Sequence, residues 1–287
     1  MKRKITFLTI LIFFVCFSFA QRGETRNIKF EKISDNLYEI LDGSGARGGA
    51  YIGDSEVLII DSKMDKKSVD QTIEELRKIT DYPIKYLVNT HSDGDHINGN
   101  QFFPEEIIFV SHENCRNDFL IPQRNGSPSK WENEELKSFV PSITFKDKLE
   151  LSLGSKKVEL WYFGVGHTTG DAVIYFPEEK TAFIGDQIFL DRIQLIHKHK
   201  NGNSFEHVKT LYKMLNTLDA EKFCSGHSKI TDRFVIMDHI CQIKKQQMKI
   251  KTMIKDGISI EDILRVYSKE ENALVTSIYE EISKDGY

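Results

Sequence analysis

The sequence predicts an α/β fold of four layers, an αββα sandwich with two β-sheets face to face and helices on the outer surfaces. Three observations lead there. Short β-rich runs precede the first amphipathic helix, strands and helices then alternate, and the second half returns to strands before ending in helices. Each half therefore carries strands followed by helices, and stacking the two sheets buries every apolar strand face.

Taken in order, Ile28 to Ile40 and Gly49 to Asp61 hold β-rich runs that end in the apolar strand Val57-Leu58-Ile59-Ile60. Lys66 to Ile79 reads as an amphipathic helix, with Val69, Ile73, Leu76 and Ile79 at helical spacing. Ile84 to Asn89 is a buried strand, and Ile107 to Ser111 another that leads into a short helix. Residues 121–141 hold three of the six prolines and read as a surface loop around a short helix, Trp131 to Val140. Ile143 to Phe163 reads as paired strands with turns at Lys146-Asp147 and Gly154-Ser155. A hairpin follows, Ala172 to Phe176 and Thr181 to Ile184. Helices are expected at Ser204 to Leu218 and Asp232 to Lys255, and a last one at Ile260 to Tyr267, capped by Ser259. No repeat or linker divides the chain, so residues 21–287 are expected to form one domain.

Residues 1–20 have the pattern of a secretory signal peptide. Lys2-Arg3-Lys4 is a basic start, Ile5 to Phe19 is almost wholly apolar, and Ser18-Phe19-Ala20 precedes a cut ahead of Gln21. An uncleaved membrane anchor is the weaker alternative, and bulky Val15 argues against a lipoprotein site at Cys16. The expectation is export to the periplasm or medium, with no membrane span after cleavage. The remainder has 36 Lys+Arg against 43 Asp+Glu, a formal charge of −7, which disfavours nucleic acid as a partner. Cys115, Cys224 and Cys241 form no paired motif, and a buried structural thiol is the favoured reading of Cys224.

The chemistry is concentrated in His91-Ser92-Asp93-Gly94-Asp95-His96, directly after a buried strand. Four potential metal ligands fall within six residues, and Gly166-His167-Thr168, Gly185-Asp186 and Gly226-His227 supply more. Imidazole and carboxylate suit borderline and hard divalent cations, and a dinuclear site needs three or four ligands per ion plus a shared bridge. The simplest partition gives one ion His91, Asp93 and His167, and the other Asp95, His96 and His227, with Asp186 bridging. A calcium loop at 92–95 is disfavoured by the imidazoles downstream. Asp61, Thr90 and Asp171 are candidates for orienting the ligands, while Gly99 and Gly166 read as backbone-turn positions. His112, His207 and His239 fall on predicted helices and read as surface or packing residues. His197-Lys198-His199-Lys200 reads as a solvated loop, with a substrate contact at the site mouth as the alternative.

The order of these patches resembles the metallo-β-lactamase superfamily: a His-x-His-x-Asp-His loop after a strand, then Gly-His-Thr, Gly-Asp after a strand, and a late Gly-His. The likeness runs from about Asp61 to His227. It implies an αββα sandwich of the metallo-β-lactamase type, two divalent metal ions, usually zinc, and the same ligand partition. It also implies hydrolysis of a small-molecule ester, thioester, lactone or amide, β-lactams included, by a hydroxide shared between the ions, with Asp95 as the catalytic residue that orients it. Asp93 departs from the pattern, which has a second His there. A hard carboxylate makes iron or manganese more acceptable and keeps two alternatives open, a di-iron redox protein and a non-catalytic metal binder. Redox relatives with a carboxylate at that point also need a flavin domain, and nothing after His227 is long or Gly-rich enough for one.

Overall fold

The computed structural model describes residues 26–122 and 125–286; the expected signal peptide and Cys16 lie outside them. The first sheet has seven strands in chain order: β1 (Lys29–Lys32), β2 (Leu37–Leu41), β3 (Gly48–Ile52), β4 (Val57–Ile60), β5 (Ile84–Asn89), β6 (Ile108–His112) and β7 (Ile143–Phe145). Its first four strands pair antiparallel and β4 to β7 pair parallel. The parallel joints need crossovers, supplied by α1 (Lys66–Arg77), the single turn α2 (Gly94–Ile97) and α3 (Glu113–Asp118). The second sheet runs β12-β11-β10-β9-β8, built from β8 (Lys148–Leu153), β9 (Lys156–Tyr162), β10 (Ala172–Phe176), β11 (Thr181–Phe183) and β12 (Lys222–Cys224). Its β11–β12 joint is parallel and crosses through α4 (Ser204–Thr217). The chain ends in α5 (Arg233–Lys255), α6 (Ile260–Leu264) and α7 (Asn272–Asp285).

The period of two along each strand assigns its side chains to layers. In β4, Val57 and Ile59 join Val69 and Leu76 of α1 on the outer face, whereas Leu58 and Ile60 face the other sheet. In β10, Ala172, Ile174 and Phe176 fill the space between sheets, and Val173 and Tyr175 pack with Leu211 and Ile240 of α4 and α5. Strands apolar on both faces are what a sheet covered on both sides requires. The four-layer sandwich follows from that alternation.

Several elements differ from expectation. β7 does not pair with β8; it adds to β6 in the first sheet, so the Lys146-Asp147 turn carries the chain from one sheet to the other. Two 3₁₀ turns, Lys130–Glu132 and Glu134–Phe139, replace the helix expected at 131–140. Trp131, Phe139 and Val140 bury themselves against the outer face of the first sheet, which pins this loop down. Ser259 caps α6 as expected, its hydroxyl accepting from the Asp262 amide at 3.2 Å. However, α6 stops at Leu264, and α7 was not expected. Leu274, Val275 and Ile278 of α7 pack on Ile250 of α5 and Ile263 of α6.

His207 on α4 and His239 on α5 are packing residues, their rings 6.3 Å apart. His207 Nε2 donates to the Gln187 carbonyl at 2.7 Å, and His239 Nε2 to Gln194 Oε1 at 3.1 Å, tying the 187–194 loop to both helices. Burial lowers their pKa values to about 3 and about 4. The folded state therefore stays unprotonated where the unfolded chain, near 6.5, takes up protons, so the stability these residues give is complete above pH 6.5 and lost as pH falls. Each adds up to about 1.4 kcal/mol per pH unit in that window. Urea unfolding of metal-free protein should show stability declining from pH 6.5 to 4, and His239→Gln should decline less steeply; equal slopes would show that His239 titrates normally in the fold.

Candidate metal centre

All four ligand patches leave strand ends on the same edge of the sandwich. β5 ends at Asn89, after which Thr90 and His91 lead into Asp93, the N-cap of α2, and α2 carries Asp95 and His96. His167 sits in the turn between β9 and β10, while Asp186 and His227 follow the neighbouring parallel strands β11 and β12. Two backbone bonds lock these segments together, Ala172 N to Thr90 O at 2.7 Å and Gly226 N to Gly185 O at 2.8 Å. Gly185 has φ +53°, and a Cβ there would lie 2.7 Å from Thr90 Oγ1, so the Gly-Asp patch needs its glycine twice over. At Gly99, just beyond α2, a Cβ would lie 1.9 Å from the Ser62 carbonyl oxygen. That close approach seats α2 against the end of β4.

The seven expected ligands converge. His91, Asp93, His167 and Asp186 offer atoms all within 4.8 Å of one another, and so do Asp95, His96 and His227. In the first group Asp93 Oδ2 lies 3.5 Å from His91 Nε2 and 3.0 Å from His167 Nε2, and Asp186 Oδ2 lies 3.9 Å from both nitrogens. In the second group Asp95 Oδ2 lies 3.9 Å from His96 Nε2 and 3.0 Å from His227 Nε2. Asp186 reaches this group too, at 3.2 Å from His96 Nε2 and 3.3 Å from His227 Nε2. Ligands bound tetrahedrally at about 2.0–2.1 Å stand roughly 3.4 Å apart, so both sets have the spacing of a divalent site with Asp186 common to the two.

Hydrogen bonding on the far side of the rings points the same way. His96 Nδ1 donates to Asp61 Oδ2 at 2.7 Å, and Thr90 donates to Asp61 from both its amide and its hydroxyl at 2.8 Å. With that hydroxyl proton committed, Thr90 Oγ1 accepts from His91 Nδ1 at 3.1 Å. His167 Nδ1 donates to the Leu195 carbonyl at 2.8 Å. Three imidazoles thus carry their Nδ1 proton on a fixed acceptor and present Nε2 to the centre, the arrangement found behind metal-bound histidines. Eight buried side-chain polar atoms among the described residues have no hydrogen-bond partner, and three of them, His91 Nε2, His96 Nε2 and Asp186 Oδ1, meet at this centre. Buried polar atoms are rarely orphaned, and two cations, one on His91 and one on His96 with Asp186 common to both, would satisfy all three. Asp171, by contrast, touches no ligand: it accepts from the amide and hydroxyl of Thr168 and fixes the turn that carries His167.

The electrostatics describe an anionic nest. Burial works against every charge here and is overridden. Neighbouring imidazoles hold Asp93 and Asp186 well below the usual carboxylate range, and the His227 contact holds Asp95 down at about 2. In return the carboxylates raise His96 and His227 and lift His167 to about 9. Protons on these rings balance the carboxylates where no cation does, and a divalent ion displaces them.

Two side chains at the centre were not assigned to it from the sequence. His197 Nε2 donates to Asp93 Oδ2 at 2.8 Å, and Lys200 Nζ donates to Asp93 Oδ1 at 2.7 Å. The loop expected to be solvated or at the mouth is therefore bound to a candidate ligand; the only sequence signal was its alternation of His and Lys after Asp186. Lys63, with φ +66°, is likewise buried, its ammonium donating to the carbonyls of Ile40, Asp42 and Ala46. Those bonds hold the loop that lies along Asp95, where Ala46 N meets Asp95 O at 3.1 Å. Cys224 takes no part: it is a buried thiol between the sheets, and Cys115, Cys224 and Cys241 are all free. His112 ends β6 rather than lying on a helix and caps α3, its Nδ1 accepting from the Asn114 amide.

The Gly99 contact is with backbone and cannot be relieved by a rotamer change. Gly99→Ala should destabilise the protein by roughly 1–3 kcal/mol in urea unfolding and loosen α2; an unchanged midpoint would show that the 61–63 segment can move aside.

The sequence profile described as the metallo-beta-lactamase superfamily matches residues 50–227, a span that holds every candidate ligand. The chain is 23% identical over 164 residues to a type 2 metallo-beta-lactamase of Elizabethkingia meningoseptica, covering 55% of this chain and 61% of that one. It is 26% identical over 164 residues to the 2,4-dinitroanisole O-demethylase subunit alpha of a Nocardioides strain, covering 55% of this chain and 46% of the relative. The matched region thus spans less than two thirds of either relative. Against a type 2 metallo-beta-lactamase of Bacillus cereus the identity is 23% over 236 residues, 78% of this chain and 85% of the other. Among solved structures, the metallo-beta-lactamase of Pontibacter korlensis superposes with a TM-score of 0.62 at 15% identity, covering 76% of this chain and 99% of that one. FIM-1 of Pseudomonas aeruginosa superposes at 0.63 and 15% identity, covering 78% and 97%. Those structures share the layered fold, and the profile match over the strands and ligand loops places this chain in the metallo-beta-lactamase superfamily.

Proposed function

We propose that this protein is an exported dinuclear hydrolase that cleaves an ester, thioester, lactone or amide, with β-lactams within that range. The observation that carries the reading is the pair of close-set ligand groups, both in contact with Asp186, with the Nδ1 protons of His91, His96 and His167 turned away from the centre. His91, Asp93 and His167 would hold one ion, Asp95, His96 and His227 the other, and Asp186 both. Zinc is the expected metal, with iron or manganese favoured next by the carboxylate at 93. When bound, the ions supply water ionised near neutral pH and polarise a carbonyl oxygen, so no serine or cysteine nucleophile is required.

The chain's own part is positional. Asp95 and His227, 30% and 25% exposed, form the open side of the centre, whereas His91 and His167 are sealed in. Substrate reaches Asp95 from that side. With its carboxyl held at about 2, Asp95 is anionic at neutral pH and would orient the attacking water by accepting a hydrogen bond from it. The relatives differ in what their names say they act on, a β-lactam or 2,4-dinitroanisole, so the reacting group is left to experiment.

Metal-reconstituted protein screened against β-lactams, lactones, thioesters and phosphoesters should turn over at least one class. Asp95→Asn should cut that rate by about 10²–10⁴-fold while most of the metal stays bound. Undiminished turnover would remove Asp95 from the mechanism, and bound iron with electron transfer but no hydrolysis would favour the redox alternative. For export, the protein recovered from the periplasm or medium should begin at Gln21; an intact Met1 on membrane-bound protein would refute cleavage.

A further inference from the structure

The loop at 197–200 makes a contact that neither substrate binding nor metal ligation explains. Both oxygens of the Asp93 carboxylate are occupied from one side, Oδ1 by the Lys200 ammonium at 2.7 Å and Oδ2 by His197 Nε2 at 2.8 Å. Neither donor is a surface group, with Lys200 12% and His197 15% exposed. Lys200 also donates to Ser92 Oγ at 2.9 Å, and that hydroxyl donates to Asp118 at 3.0 Å. The backbone fixes the loop to the turn that carries His167: His197 N donates to His167 O at 2.8 Å, Thr169 N to Lys200 O at 3.2 Å and Asn203 N to Gly166 O at 3.1 Å. Lys200, His197 and His167 are therefore joined through one set of backbone bonds, and all three side chains contact the Asp93 carboxylate.

We propose that Lys200 and His197 form a charge-compensating clamp on Asp93, positioning one carboxylate oxygen for the first ion and cancelling the anion's extra charge. The proposal rests on the two-ion reading above. Before any hydroxide is counted, three carboxylates around two dications leave one net positive charge. An imidazole in place of Asp93 would leave two, and the ammonium of Lys200 returns the missing one. Asp93 with Lys200 is thus electrostatically equivalent to a neutral ligand, and the first ion keeps the electrophilicity that a free carboxylate would reduce. Lys200 is a positioning residue, since it touches Asp93 and Ser92 and no candidate imidazole.

The charge has a consequence opposite in sign to that of a structural prop. An ammonium against a ligand of a dication repels the ion, so removing its charge while keeping a hydrogen-bond donor should tighten metal binding. Loss of a merely structural contact behind a ligand loosens it, typically 10–100-fold. Lys200→Gln retains an amide donor for Asp93 Oδ1, and Lys200→Arg retains the charge. Chelator-stripped protein titrated with zinc alone against a chromogenic competitor should bind two ions in the wild type. In K200Q one of the two affinities should rise on the order of tenfold, with K200R close to wild type. Unchanged or weaker zinc binding in K200Q overturns the clamp while leaving the two-ion centre standing. A wild type that binds fewer than two ions removes both proposals. Should K200Q fail to fold, Lys200→Met is read by the same criterion: tighter binding upholds the clamp, and unchanged or weaker binding overturns it.

Discussion

The structure is organised around one buried carboxylate. Asp186 is 4% exposed, and its two oxygens lie within 3.9 Å of imidazole nitrogens from four different loop positions. An ion removed from water to that degree costs several kcal/mol unless neighbours neutralise it. Here the neutralising groups arrive from both sheets: His91 and His96 after β5 of the first, His167 and His227 from loops of the second. The packing of the two sheets and the charge balance of the centre are therefore one constraint. Asp61 extends it outward, since the carboxylate that ends β4 orients His96 directly and His91 through Thr90. Asp61 adopts φ +57°, a left-handed conformation Asp tolerates better than most residues, to turn its side chain under that loop.

Much of this was legible in the sequence because strand periodicity and ligand chemistry are local signals. Val57-Leu58-Ile59-Ile60 is apolar at every position, which only a strand covered on both faces tolerates, so a packed layer is needed on each side, here α1 on one and the second sheet on the other. The candidate ligands stood out because each follows a strand and most adjoin a glycine that permits the turn. Elements without such signals were missed. β12 is three residues, Lys-Phe-Cys, too short to show alternation, and its strand character comes from parallel pairing with β11. β7, also three residues, has the same pattern whichever sheet it joins; its pairing with β6 is a tertiary choice. α7 has Glu271 at its N-cap position with no side-chain cap, so the start signal that identified α6 at Ser259 is absent there. The Lys200–Asp93 contact joins residues 107 positions apart, and no local pattern reports it.

The centre is closed on one side and open on the other, and that asymmetry follows from loop anchoring rather than from the ligands. Around His91, Asp93 and His167, the 197–200 segment is bonded through its backbone to the 166–169 turn and through its side chains to Asp93, and both imidazoles are buried beneath it. Around Asp95 and His227 the flanking loop at 42–47 is held from behind by Lys63 and leaves both side chains partly exposed. Phe189 marks the boundary: its ring stacks on His227 at 5.5 Å and also lines a cavity of about 770 Å³ with Arg192, Gln194, His239 and Tyr267. Gln194 joins this cavity wall to the centre, because its amide nitrogen donates both to the Asp186 carbonyl at 3.2 Å and to the Leu195 carbonyl at 3.1 Å, the same oxygen that His167 Nδ1 uses. Asp95 and His227 are therefore the accessible pair of the centre, with Phe189 stacked beside them, while the imidazoles of His91 and His167 on the other side are buried by the loops anchored around Asp93.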